Sequence, residues 1–148
     1  MAPQDPPHAS RIDDGGDYRK AIYAKRAKVR VQLPITLYPG SEPEPDFAVV
    51  RLDDNRYRDR HPYPGDILFL IEVSDSTLKR DRNHKAQIYA SARIGECWIV
   101  EHIKKRQVLV LRDPQDHIYG SEQTFTGNDQ VASLLLPDIA VSLRQLIL

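Results

Sequence analysis

The stretch Ile67–Lys85, ILFLIEVSDSTLKRDRNHK, constrains this chain more than any other. It opens on an unbroken apolar run, Ile67–Ile71, too short for a buried helix and suited to a strand covered on both faces. Glu72 then interrupts the run, Ser74 follows two residues on, and a polar cluster Ser74–Thr77 leads into a helical pattern carrying Lys85. A carboxylate at the end of a buried strand needs a partner, because an unpaired buried charge costs several kcal/mol. A bound cation or a nearby lysine would meet that need.

The pattern around this stretch predicts an α/β domain. Leu78–Arg93 lacks Gly and Pro, follows Asp75, Ser76 and Thr77 as candidate N-caps, and is followed by Gly95. Asp81, Lys85 and Tyr89 lie at i, i+4 and i+8 and share a face of that helix. Strands are expected at Val29–Leu33, Phe47–Val50, Glu96–Val100, Gln107–Arg112 and Ile118–Phe125. A Leu-Pro-Asp turn and a small closing helix over Val141–Leu148 are expected at the end. Met1–Asp17, rich in Pro, Asp and Gly, reads as a disordered arm before one domain over residues 18–148.

Composition removes several functional classes. With 148 residues the chain is long enough to bury about 68–70% of its unfolded surface. The net charge is zero, so any attraction for a polyanion must be local. One cysteine, Cys97, excludes an internal disulfide and a cysteine-rich zinc site, and the five histidines show no zinc spacing. No apolar run approaches the ~20 residues of a membrane span, and no signal-peptide core is evident. The expectation is a cytoplasmic protein.

The chemistry-bearing candidates are Asp46, at the entry of the strand Phe47–Val50, together with Glu72 and Lys85. If the two strands are neighbours, their acids converge. Like charges then raise each other's pKa unless a hard cation lies between them, and oxygen donors with water suit Mg²⁺ or Mn²⁺. The competing reading is that both acids merely satisfy turns. Arg19–Arg30 holds six basic residues and no acid, and reads either as a phosphate-facing patch or as a solvated face.

Three strings carry a family resemblance: SEPEPDFAVV (Ser41–Val50), YRDRHPYPGDILFLIEVSDSTLKRDRNHKAQIYA (Tyr57–Ala90) and GECWIV (Gly95–Val100). The combination resembles the Uma-two family of endonucleases in the PD-(D/E)xK superfamily. The resemblance implies a restriction-endonuclease-like mixed β-sheet with flanking helices, and metal-dependent hydrolysis of DNA phosphodiesters. It implies Asp46 and Glu72 as metal ligands, with the Val73 carbonyl as a third, for Mg²⁺ or Mn²⁺. Ser74 stands where the superfamily has its lysine, and Lys85 on the helix would take that role, supported by Asp81 and Tyr89. Arg56, Arg58, Arg60, Lys79, Arg80 and Arg82 would supply phosphate contacts to DNA. Compared with the family the chain is N-terminally short, which would leave apolar faces for a homodimer to cover. It also keeps open a catalytically inactive nuclease-fold domain that binds DNA or protein.

Overall fold

The computed structural model describes residues 6–38, 40–74, 79–101 and 105–147, with the side chains of 6–11, 13–15 and 79–82 outside that description. Its elements run α1 (Pro6–Tyr23), β1 (Lys28–Val31), β2 (Phe47–Val50), β3 (Ile67–Ser74), α2 (Lys79–Ser91), β4 (Glu96–Glu101), β5 (Gln107–Gln115), β6 (Ile118–Thr126), β7 (Gln130–Ser133), β8 (Leu136–Ser142) and α3 (Leu143–Leu146). β1 to β6 form one mixed sheet in sequence order, and β7 pairs with β8 in a second, two-stranded sheet. This is the expected mixed α/β, restriction-endonuclease-like arrangement.

β3 is the strand about which the sheet is built. It pairs antiparallel with β2 and parallel with β4, and α2 forms the crossover that a parallel pair requires. Phe69, Leu70 and Ile71 are fully buried, each contributing about 1.5–3 kcal/mol by removal from water. Alternation along the strands divides the core by face. Val29, Phe47, Val49, Phe69, Ile71, Trp98 and Val100 point to one side, toward Ile12 and Tyr23 of α1. Ala48, Val50, Leu70, Cys97 and Ile99 point to the other, toward Tyr89 of α2. Phe69 sits between Tyr23 and Trp98, with ring centroids 5.8 and 4.6 Å away.

Two expectations change. α1 begins at Pro6, so most of the segment read as a disordered arm is helical. Its buried residues Ile12, Gly16, Arg19 and Tyr23 fall on one helical stripe. Gly16 permits close approach, since a Cβ there would lie 2.9 Å from Val31 Cγ2. Tertiary contact thus overrides a polar, Gly-containing composition. The Leu-Pro-Asp segment is strand rather than turn, because β8 has a partner on one side only and Pro137 can occupy it without breaking a ladder.

Candidate active site

Asp46 immediately precedes β2, and Glu72 lies near the end of β3. Because β2 and β3 are antiparallel, with Phe47 opposite Ile71, both acids come to the same end of the sheet. Side-chain alternation puts both on the α2 face. They are 6% and 4% exposed. The main chain at Asp46 is fixed by the Gln32 N–H, which donates to its carbonyl at 3.0 Å. Its carboxylate Oδ2 accepts the Val73 N–H at 2.8 Å, which ties the two strand ends together.

α2 supplies the counter-charge. Lys85 Nζ donates to Glu72 Oε2 at 3.1 Å, and Tyr89 Oη donates to Glu72 Oε1 at 2.5 Å. Lys85 and Tyr89 are one turn apart, so a single helix face serves both oxygens of one carboxylate. Burial and then the charge of Asp46 push the Glu72 carboxyl up to about 7, against the pull of Lys85 and Tyr89. Burial works to lower the Lys85 ammonium, but attraction to Glu72 and Asp46 leaves it raised. Burial and the Glu72 charge also push the Tyr89 hydroxyl up, so it acts as a donor.

The other expected site residues are distributed differently. Ser74 is half-buried at the end of β3 on the same face as Glu72. The side chains of Asp81, Lys79, Arg80 and Arg82, and the candidate caps Asp75–Thr77, lie outside the described residues. Arg56, Arg58 and Arg60 sit on the 51–66 connection, which joins the opposite ends of β2 and β3 from the acids. Arg60 is engaged there, 2.7 Å from Asp66 and over the Tyr63 ring at 4.6 Å. Arg19 is buried over Phe47 at 4.1 Å from the ring centroid, on the face away from the acids, rather than displayed to solvent.

A third buried carboxylate, Glu96, carries no chemistry in the sequence reading. It is 1% exposed and accepts from Trp98 Nε1 at 2.8 Å, Arg112 Nη2 at 2.8 Å, Ser133 Oγ at 2.7 Å and Leu134 N–H at 3.0 Å. Its Trp98 neighbour places it on the α1 face. With donors on both oxygens it is a structural tie between the two sheets.

A family model described as "Uma2: Putative restriction endonuclease" matches residues 1–144. The chain belongs to the Uma2 family. No curated protein matches it. Membership is consistent with the mixed sheet. Among the described residues no group of three or more His, Cys, Asp and Glu side chains is arranged to hold a metal ion. The donor set still fits a hard cation that keeps several waters, since two carboxylates suffice for Mg²⁺. The acid pair is buried and mutually repelling, and a cation would relieve that repulsion. Among the described residues, no helix is long and apolar enough to cross a membrane.

Proposed function

We propose that this Uma2 protein hydrolyses phosphodiester bonds in DNA, using Mg²⁺ or Mn²⁺ held by Asp46, Glu72 and the Val73 carbonyl. One observation carries the reading: two buried carboxylates meet at adjoining strand ends with a lysine and a tyrosine on one of them. When bound, the divalent cation supplies a low-pKa water and polarises a phosphoryl oxygen. The chain's own residues do the rest. Asp46 and the Val73 N–H hold the two strand ends in register. Glu72 must release its proton before it can act as a ligand. Lys85, freed from Glu72, holds positive charge beside the negative charge that develops on the phosphorane oxygens, and Tyr89 keeps Glu72 oriented. A homodimer of such domains would present two sites to a duplex.

A second reading, a nuclease-fold domain that binds without cleaving, is favoured by the same ion pair. Both Glu72 oxygens already have protein donors, so the acid is satisfied without metal. Calorimetric titration with Mn²⁺, on wild type and Glu72→Ala, followed by nicking of supercoiled plasmid, separates the two. Binding lost in the variant with nicking only by wild type supports the nuclease. Metal binding without nicking supports the binding domain. No metal binding by either protein refutes the metal site.

A further inference from the structure

The two basic stretches that lie apart in sequence, Arg19–Arg30 and Arg56–Arg60, meet in the fold. Along the open edge of β1 runs a groove of about 560 Å³ whose charged lining is Lys20, Lys28, Arg30, Arg56 and a single acid, Asp53. In a chain with no net charge this is a local excess of cations. The one acid is already committed, since Asp53 Oδ2 accepts the N–H groups of Asn55 and Tyr57 at 3.1 and 2.9 Å.

The groove is built rather than incidental. Arg56 and Tyr57 both take left-handed backbone conformations, with φ 55° at each, which side-chain-bearing residues adopt only when surroundings enforce it. The Asp53 cap, the Tyr57 Oη bond to the Arg51 carbonyl at 2.6 Å, and the Lys28 Nζ bond to the Arg56 carbonyl at 3.3 Å enforce it here. That turn carries Arg56 back to the edge strand. Arg30 is 6% exposed and its Nε has no hydrogen-bond partner among the described residues. Burial, Arg30, Arg56 and Arg58 together depress the Lys28 ammonium, which an anion in the groove would restore.

Its position relates it to the acids. Lys28 and Arg30 pair with Val50 and Ala48, and alternation puts all four on the α2 face with Asp46 and Glu72. Arg30 is therefore two residues and Lys28 four residues from the level of Asp46, roughly 7 and 13 Å along the strand. A nucleic-acid strand carries one phosphate per ~3.4 Å of helix axis, so this span corresponds to roughly two to four phosphates.

We propose that the β1-edge groove binds backbone phosphates of the nucleic-acid strand whose scissile bond lies at Asp46 and Glu72. This rests on the nuclease reading above and extends it to a binding track two to four phosphates from the acids. The test is fluorescence anisotropy of the full chain with a labelled duplex, in EDTA, across a salt series. Lys28→Gln, Arg56→Gln and their double variant are compared with Arg144→Gln, an exposed cation on α3. Each lost contact should flatten the slope of log K against log salt by about 0.9, that is, roughly three- to four-fold less affinity change between 50 and 200 mM. Arg144→Gln should leave the slope unchanged, and Lys28→Arg should retain it if Lys28→Gln fails to fold.

Unchanged slopes in the folded groove variants overturn the proposal. So does loss of monodispersity at unchanged slope, which would make these cations guards against edge pairing only. Thermal stabilisation by inorganic phosphate that needs Lys28 and Arg56, with a duplex slope that does not, would assign the groove to free phosphate and also overturn it. Plasmid nicking separates this from the reading beneath it. Flattened slopes without nicking support the groove and refute the nuclease, whereas nicking with unchanged slopes does the reverse.

Discussion

Glu72 offers the most direct physical test of the site, and it needs no substrate. In the folded, metal-free protein burial and Asp46 push this carboxyl from the ordinary 4.5 up to about 7. Between those values the native state keeps a proton that the unfolded chain releases. That stability is therefore fully present below about pH 4.5 and is lost as pH rises through 7. The shift corresponds to about 3 kcal/mol, since one pKa unit is worth about 1.4 kcal/mol. With a urea m-value of about 1–3 kcal/mol/M, the unfolding midpoint should move by roughly 1–3 M. Other groups titrate over the same range, so the useful quantity is the difference between wild type and Glu72→Gln, measured by urea unfolding in EDTA at steps from pH 4 to 8. The amide matches the protonated acid in shape and cannot ionise. The two proteins should be nearly equal at low pH, and Glu72→Gln should be the more stable by about 3 kcal/mol above pH 7. Because the charge of Asp46 helps raise the Glu72 carboxyl, Asp46→Asn should also reduce the slope. Saturating Mn²⁺ should reverse the sign for wild type alone. Parallel curves for wild type and Glu72→Gln would refute the reasoning, whatever the activity.

Other consequences follow from named contacts. Lys85→Gln removes the cation on Glu72 Oε2. It should raise the Glu72 midpoint further and, if Lys85 competes with a divalent ion for that oxygen, tighten Mn²⁺ binding above pH 8 while abolishing nicking, as read by calorimetry and plasmid assay. Glu96→Ala strips the partner from Arg112, Trp98 and Ser133. It should cost about 3 kcal/mol in urea unfolding. Gly16→Val places branched carbon where a Cβ alone would be 2.9 Å from Val31. It should destabilise by about 1–3 kcal/mol and loosen α1 from the sheet, seen as faster amide exchange across Ile12–Tyr23.

The parts of this fold that were legible in the sequence are those whose stability is local or periodic. Phe47–Val50 and Ile67–Ile71 are apolar runs bounded by turn residues, and they appear as β2 and the core of β3. Gln107–Arg112 and Ile118–Phe125 are strands within one to three residues of expectation. The helix α1 was not legible, because nothing in its polar composition announces it. Only a partner face, with Val31 and Phe47 filling the space beside Gly16, gives Ile12 and Tyr23 a reason to align. Apolar or small residues stand at 12, 16 and 23 of the stripe. Arg19 hides it, being a cation that is buried by stacking on Phe47. The basic stretches were visible as charge, but their fates were not. Arg60 is taken by Asp66 and Arg19 by Phe47, while Lys28 and Arg56 converge across 28 positions of sequence.

The lysine shows why a site of this kind is carried by space rather than by spacing. A residue at position 74 shares the α2 face with Glu72, two positions along the same strand. The motif that the sequence resembles has a lysine at that position, and Ser74 holds it here. Lys85 reaches the same carboxylate from a different element, because the parallel β3–β4 pairing forces α2 to return across that face. The return also brings Tyr89 one turn further on, which a lysine at position 74 would not supply. Moving the cation to the helix changes what the site can do. A strand-borne lysine has its position set by the sheet ladder, whereas one on α2 shifts with the packing of Tyr89 and Ala90 against the core. The distance between Lys85 and Glu72 is then tied to how α2 sits on the sheet. Anything that tilts the helix acts on the acid pair directly.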